Sequence, residues 1–488
     1  MPTATSHDDA VSVRAQKATQ PAYVTRIKVY PKRIEGKFRR LKWAALAVIL
    51  ALYYFLPWLR WDRGPGAPDQ ALLIDLPGRR AYFFALEIWP QEVYFLTGLL
   101  ILGAMALFLV SSLFGRLWCG YSCPQTVWTD LFMLVERLIE GDRNARMKLD
   151  KAAWSAGKVL LKVLKHAAWL VIAAATGGAW VFYYADAPTM ARAFVTGTAS
   201  TEAYFFVALF TATTYLLAGW AREQVCTYMC PWPRFQAAMF DENTLTVAYR
   251  TWRGEPRGSH KAGQSWEGRG DCVDCRQCIA VCPTGIDIRD GQQLECIGCG
   301  LCIDACNGVM DKVGRPRGLI SFDTIANLAA AAKGAKPTYR LIRPRVLVYA
   351  GALALVGVVM LVAFAARTTV ELSVLRDRAP LFVTLSDGSI RNGYTIKILN
   401  KTPAAQRYAL DVRGIPSAAV QVISGGEAPT AGIVLEAHPD SVSTYRVYVT
   451  ARADAVLHES VPVTFRVRAE GGTASADRQS VFLGPDRD

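Results

Sequence analysis

Residues 272–306 read CVDCRQCIAVCPTGIDIRDGQQLECIGCGLCIDAC, the spacing C-x2-C-x2-C-x3-C written twice, with Pro283 after the first run. Thiolates spaced this way wrap one corner of an iron–sulfur cube while the fourth Cys points away, and in two-cluster proteins that fourth Cys ligates the other cluster. The expected ligand sets are therefore Cys272, Cys275, Cys278 and Cys306 for one [4Fe–4S] cluster, and Cys296, Cys299, Cys302 and Cys282 for the other. Gly298 and Gly300 suit tight turns that aim backbone N–H groups at cluster sulfurs. Zinc knuckles also use C-x2-C, but four cysteines per run, no His and the x2–x2–x3 rhythm speak against zinc. The second run departs from the usual pattern only in Asn307, which stands where Pro is common and is no ligand.

The other four cysteines repeat a second pattern, C-x3-C-P: Cys119, Cys123 and Pro124 in RLWCGYSCPQTVW, and Cys226, Cys230 and Pro231 in AREQVCTYMCPWPRF. Thiols at i, i+4 share a helix face. A following Pro disfavours helix at the second Cys and can open a new helix as its first residue. After Pro124, Val127, Leu131, Leu134, Val135 and Leu138 recur at helical spacing, which predicts a helix lying along a membrane surface. Soft thiolates, with Met229 alongside, favour Cu(I), zinc or iron–sulfur over hard ions. The plainer alternative is Cys as a small buried hydrophobe. Two matched pairs with no stray Cys elsewhere weaken it, and a transient redox-active pair stays open.

These motifs sit among apolar elements. The chain has 488 residues, 52% hydrophobic and 20% charged, below the charge content usual for soluble proteins. Five uncharged runs, 43–59, 93–115, 166–185, 203–221 and 346–366, are each long enough to cross a bilayer. Both C-x3-C-P motifs follow the exit of a span, the second and the fourth. Lys and Arg number 8 in residues 26–42, 4 in 60–92, 9 in 116–165 and 1 in 186–202, an alternation that places the N-terminus and the 116–165 loop in the cytoplasm. Basic residues before span five put 222–345 there too, and the last 120 or so residues on the other side. The net charge of +14 is then a matter of topology rather than nucleic-acid binding. All 12 Cys lie between Cys119 and Cys306, which excludes a disulfide-stapled secreted framework. Of the five His, only His166 abuts a span, so haem held by two imidazoles fails, and no C-x-x-C-H, P-loop or G-x-G-x-x-G after a strand is present.

From about residue 368 the pattern changes to short alternating runs such as YALDVRG and VPVTFRVRAE, with Asn392-Gly393 as a hairpin signal. Some seven strands fit an immunoglobulin-like sandwich, here without Cys or Trp. His438 and His458 are isolated, and Asn400-Lys401-Thr402 reads as a chance glycosylation triplet. The fold expected is an integral membrane α-helical protein of five transmembrane helices, with a cytoplasmic two-cluster ferredoxin-like domain and a C-terminal all-β sandwich. Its parts are a disordered tail (1–25), a four-helix membrane domain (26–221), the 2[4Fe–4S] segment (222–345), the fifth span (346–366) and a periplasmic contact module (367–488).

VYPKRIEGKFRRLKW before span one, WCGYSCPQTVW, CTYMCPWPRFQ, the twin ferredoxin runs and the terminal sandwich together resemble the CcoG/FixG/RdxA family of cbb3-type cytochrome c oxidase accessory proteins. The resemblance covers the chain from about residue 25 to the end. It implies a bacterial inner-membrane, multi-pass iron–sulfur protein, N-terminus cytoplasmic and C-terminus periplasmic. Its implied activity is that of a cupric reductase: it would reduce Cu(II) to Cu(I) for the oxidase copper centre. Cys119, Cys123, Cys226 and Cys230 match the cysteines proposed to handle copper, and the eight ferredoxin cysteines match the cluster ligands. Implied partners are the membrane, oxidase subunits or copper chaperones, and an electron donor that the sequence does not identify. Two other readings compete. One is a ferredoxin subunit of the NapH type, passing electrons from quinol to a periplasmic reductase; the other is a non-catalytic assembly scaffold with structural clusters.

Overall fold

A computed structural model describes residues 28–64, 67–260, 263–402, 404–423, 433–452 and 458–485. The tail expected to be disordered, and His7 within it, lie outside these residues. Among the described residues five helices are long and apolar enough to cross a membrane: Lys37–Trp58, Pro90–Phe114, Ala156–Val181, Thr201–Ala221 and Pro344–Ala365. They coincide with the five uncharged runs and extend some of them into flanking charged turns. The chain divides into two units, one holding residues 1–57, 99–185 and 189–354, the other 58–98, 186–188 and 355–488.

In the first unit the helices needed here are α1 (Lys37–Phe55), α2 (Val93–Phe114, which begins in the second unit), α3 (Leu117–Tyr121), α4 (Pro124–Glu140), α5 (Arg143–Lys151) and α6 (Ala156–Val181). After α7 (Ala187–Thr196) comes α8 (Thr201–Thr214), which passes into π-helix over Tyr215–Ala221. Pro124 opens α4 as expected, and α4 also packs one face into the helices around it. Its buried face holds Val127, Trp128, Phe132 and Met133 with Asp130, Glu136 and Glu140, while Leu138 is 76% exposed. Trp128 meets Tyr53 of α1 edge-on at 5.0 Å and donates to Thr176 of α6 at 2.9 Å, and Phe132 stacks on Trp169 at 5.4 Å. The helix is thus wedged among three span helices.

Ion pairs hold it there. Asp130 meets Arg39 at 3.0 Å and Lys42 at 3.7 Å. Glu136 meets Arg146 at 3.0 Å, Arg222 at 2.9 Å and Lys165 at 3.7 Å, and Glu140 takes Lys165 at 2.9 Å and Lys162 at 2.8 Å. Charges removed from water persist only when paired in this way. His166, expected as an interfacial residue, joins the wall of this bundle through a 2.8 Å hydrogen bond with the Tyr215 hydroxyl.

The cysteine-rich segment is mostly loop. It is framed by the antiparallel pair β4 (Thr246–Tyr249) and β5 (Ile320–Asp323) and by α9 (Trp232–Met239), α10 (Gln277–Val281) and α11 (Leu301–Lys312). Pro283 follows the end of α10. Asn307, lacking the ring that would interrupt helix, lets α11 run on to Lys312, and its Oδ1 accepts from the Gly318 N–H at 2.9 Å.

In the second unit, strands β6 to β14 make two antiparallel sheets. The first is ordered β10 (Ala419–Val422), β12 (Ser441–Ala451), β8 (Ile390–Asn400) and β6 (Val370–Arg376), with the short β7 (Val383–Thr384) also on β8. The second is ordered β11 (Ile433–Ala437), β9 (Gln406–Arg413), β13 (Ser460–Ala469) and β14 (Ser475–Leu483). Among the described residues nine strands stand where some seven were expected. Inward-facing Tyr394, Ile396, Ile398, Phe465, Val467 and Phe482 form the core between them.

The hairpin expected at Asn392-Gly393 does not form: both residues lie inside β8, opposite Val449 and Tyr448. Asn392 is fully buried and exchanges two hydrogen bonds with the backbone of Leu483, at 2.8 and 3.0 Å, so its amide serves the strand instead of a turn. A Cβ on Gly393 would overlap the Asp377 carboxylate at 2.4 Å, so Gly is there for close approach. Asn400 is also fully buried, donating to the Ala404 carbonyl at 2.8 Å, which makes it no glycan acceptor. His438 and His458 are exposed.

Residues 60–92 connect spans one and two, a stretch with no strand expected from the sequence. They carry a three-stranded sheet, β1 (Leu72–Asp75), β2 (Arg80–Phe83) and β3 (Leu86–Ile88). Buried Glu92 then accepts from Arg367 at 2.7 Å and from Lys401 at 2.8 Å, tying the entry of span two to the exit of span five and to the sandwich.

Candidate metal centre

The Cys306 thiol feels the neighbouring thiols Cys278, Cys272 and Cys275, while Cys302, of the second expected set, feels Cys299, Cys296 and Cys282 and then Cys278. Beside the second set lies a small apolar cavity lined by Cys278, Cys282, Cys296, Cys299 and Cys302 together with Val247, Ile286, Ile288 and Ile297. Burial first, then neighbouring thiols, pushes Cys306 up to about 12 and Cys302 well above its usual range. Burial pushes Cys296 up to about 12 and Cys278 to about 11. Such thiols give up their protons only to a strong positive partner.

Backbone amides are already aimed at them. Gly298 N–H serves Cys296, Leu301 N–H serves Cys299, Ile279 N–H serves Cys278 and Ile320 N–H serves Cys306. Gly298 and Gly300 take φ of 66° and 72°, the left-handed turns expected of them. Among the described residues no three His, Cys, Asp or Glu side chains converge closely enough to hold a single ion. Sulfur donors only, apolar walls and amides directed at sulfur fit a cubic cluster better than zinc.

The four remaining thiols gather on one side of this assembly. Burial and then Cys123, with Cys226 and Cys230 further down, push Cys119 up to about 12, and burial, Cys123 and Cys230 do the same for Cys226. The shared helix face expected from the i, i+4 spacing is not how they meet. Cys119 lies in the short α3, whereas Cys226 lies in a π-helical turn, Val225–Met229. Cys123 and Cys230 both leave helix in the same extended conformation, at φ/ψ of −62°/127° and −80°/121°, because each precedes a Pro. Cys230 is exposed, and Met229 is 62% exposed.

The C-x3-C-P loop rests directly on the second ferredoxin run. A Cβ on Gly120 would stand 2.8 Å from the Ile297 carbonyl oxygen and 3.1 Å from the Cys299 amide nitrogen, so only Gly admits this approach. The Tyr121 hydroxyl donates to the Cys299 carbonyl at 2.9 Å.

Several residues of the site were not singled out in the sequence. Buried Arg116 donates to the carbonyls of Leu294, Cys296 and Pro233, stapling both motif loops to the cluster loop. Burial lowers its guanidinium, and the nearby Cys119 and Cys296 oppose that shift. The Cys119 thiol donates to Oε1 of buried Gln236 at 3.2 Å. Lys42 carries its charge toward Cys226 and Cys299. Asp304, between Cys302 and Cys306, accepts from the N–H groups of Phe38 at 3.3 Å and Arg39 at 2.8 Å, clamping the ferredoxin segment to the start of span one. Arg289 binds Asp274 at 2.6 Å and approaches the Cys272 sulfur at 4.0 Å. The basic stretch before span one and the acid inside the second cysteine run were visible signals, but their pairing was not.

Residues 221–325 match the family model of a 4Fe-4S dicluster domain, residues 96–140 that of a 4Fe-4S binding domain, and residues 360–485 that of the IG-like fold at the C-terminal of FixG. Five spans, two iron–sulfur binding domains and a terminal sandwich define a multi-pass membrane iron–sulfur electron-transfer protein. The chain is 53% identical over 470 residues to "Nitrogen fixation protein FixG" of Rhizobium meliloti, a match covering 91% of this chain and 90% of that one. It is 52% identical to "Protein RdxA" of Cereibacter sphaeroides, over 94% of this chain and 98% of that one, and 50% identical to "Protein RdxB" of the same organism, over 93% and 94%. The chain belongs to the CcoG/FixG/RdxA family.

Proposed function

We propose that the protein is a cupric reductase of the inner membrane that serves assembly of a cbb3-type cytochrome c oxidase. In this reading Cys272, Cys275, Cys278 and Cys306 would hold one [4Fe–4S] cluster, and Cys296, Cys299, Cys302 and Cys282 the other. When bound, such clusters supply one-electron storage and transfer at potentials set by their surroundings. The 116–165 loop and residues 222–345 face the cytoplasm and the sandwich faces the periplasm, following the Lys and Arg asymmetry. The sandwich is the docking module for oxidase subunits or a copper chaperone.

The observation that carries the reading is the seat of Gly120 on Cys299: a loop bearing two of four gathered thiols touches a ferredoxin loop with no side chain between them. Copper enters as substrate. Cu(II) taking one electron becomes Cu(I), the oxidation state that thiolates prefer, so Cys119, Cys123, Cys226 and Cys230 would retain the product they help to form. Arg116 and Lys42 place positive charge beside the thiols and favour their ionised form.

The test is an anaerobic titration of the pre-reduced protein in detergent with Cu(II), following Cu(I) with a chromogenic chelator. Cys226→Ala with Cys230→Ala should abolish retained Cu(I) while iron stays at about eight atoms per chain, two four-iron clusters. No Cu(I) from the intact protein would instead favour the scaffold. A second reading follows from the iron–sulfur family model over residues 96–140, a stretch whose only cysteines are Cys119 and Cys123. If the four C-x3-C-P thiols hold a cluster of their own, the intact chain carries about twelve irons and the double variant loses about four.

A further inference from the structure

Spans one, three and four, together with the first turn of α4, enclose a cavity that plays no part in the site above. The rings of Tyr53, Trp128, Trp180 and Phe210 line it, together with Pro124 and Gln125. Thr213, exposed on span four, stands at its rim. Every hydrogen bond found for Gln125 among the described residues leaves from Nε2, toward the Leu217 carbonyl at 2.8 Å, the Arg222 carbonyl at 3.2 Å and the Thr129 hydroxyl at 3.2 Å. The carboxamide oxygen of this lining residue is left as an acceptor.

The second observation is the π-helix. Span four loses its α ladder at Tyr215, beside the cavity, and Arg222 N–H reaches back five residues to the Leu217 carbonyl at 2.8 Å. Such segments concentrate at functional sites. Gln125, two residues after Cys123, thereby grips the π segment that leads to Cys226, and one wall of the cavity joins both thiol motifs. A lipid tail would pack on the rings and leave the acceptor unused; a flat, redox-active ring bearing hydroxyl groups uses both.

We propose that this cavity binds the head group of an isoprenoid quinol, the lipid-phase electron donor for the metal reduction. The ring lies between the aromatic walls, and one quinol hydroxyl donates to Gln125 Oε1. This rests on the copper reading for its acceptor: the two O–H bonds of the quinol break, both protons pass to water, and the two electrons convert two Cu(II) to two Cu(I), leaving the quinone.

Binding is tested without copper. The purified full-length, cluster-loaded protein in detergent is titrated with decylubiquinone while tryptophan emission is followed, with a short-chain menaquinone analogue in parallel to tell a benzoquinone site from a naphthoquinone site. Saturable quenching by at least one of the two analogues is expected, with most of its amplitude lost in Trp180→Phe. Thr213→Phe, which narrows the rim without touching the core, should raise the half-saturating concentration at least tenfold at unchanged iron content, and Gln125→Leu should weaken binding several-fold. Quenching by both analogues that rises linearly and ignores Thr213→Phe overturns the proposal, as does equal displacement by 1-decanol. Saturable binding without Cu(I) formation from decylubiquinol or its menaquinol counterpart would retire the copper reading and leave the site standing. Cu(I) formation from a chemical reductant with no quinone binding would do the reverse.

Discussion

The core of the helical bundle and the core of the sandwich solve the problem of internal order by opposite means. Around the thiols, the helical unit buries Asp130, Glu136 and Glu140 against Arg39, Lys42, Arg146, Lys165 and Arg222. The sandwich buries Tyr394, Ile396, Phe465, Val467 and Phe482, and its fully buried amides at Asn392 and Asn400 bond only to backbone or to near neighbours. The contrast follows from the solvent. Lipid gives packed helices no hydrophobic reward for associating, so polar pairs must fix their register. In water, apolar burial between two sheets suffices. Charge pairs are also directional, which suits a region where loops from distant parts of the sequence must bring thiols together.

That contrast can be broken at its strongest point first. Glu136→Gln leaves Arg146, Arg222 and Lys165 facing one another, and removal of one partner from a buried pair costs about 3–5 kcal/mol. The expected result is a lower unfolding temperature together with lost Cu(I) retention, since Arg222 leads directly into the second thiol motif. Phe465→Ala in the sandwich should cost about 3 kcal/mol through cavity formation, yet leave iron content and Cu(I) retention unchanged. A loss of iron in that variant would contradict the separation. Gly120→Ala should cost about 1–3 kcal/mol, because its Cβ must displace the Ile297 carbonyl, and should slow Cu(I) formation more than it lowers stability.

The smallest effect concerns pH. Burial, followed by the charge of Asp440, raises the Glu87 carboxyl to about 7, above an unfolded value of about 4.3. Such a group contributes stability that is complete below its unfolded pKa and is lost as pH rises through its folded one. Thermal unfolding of the intact protein should therefore soften from about pH 4.5 to pH 7, and Glu87→Gln should flatten that slope.

Much of this architecture was legible because it is written locally. Uncharged runs marked all five spans, and the x2–x2–x3 rhythm marked the thiols that neighbour one another around Cys302 and Cys306. What escaped is non-local. The aliphatic stripe through Leu131, Leu134 and Leu138 suggested a surface helix, since nothing in α4 itself shows that Asp130 pairs with Arg39, 91 residues away. Asn392-Gly393 carries turn chemistry, and its strand wins because Leu483, also 91 residues distant, takes both faces of the Asn amide. Asp304 looked like an ordinary acid between two ligands until span one supplied the N–H groups it caps.

The π-helix in span four has a consequence for how the chain can vary. Its wider turn stores surplus backbone, and dropping a single position between Tyr215 and Ala221 would let that stretch wind at the ordinary pitch. The wider turn thus acts as a reserve: a residue lost there is taken up by tighter winding, whereas the same loss in the ordinary α-helical part of span four turns everything beyond by about 100°, taking Cys226 off the side it shares with Cys123.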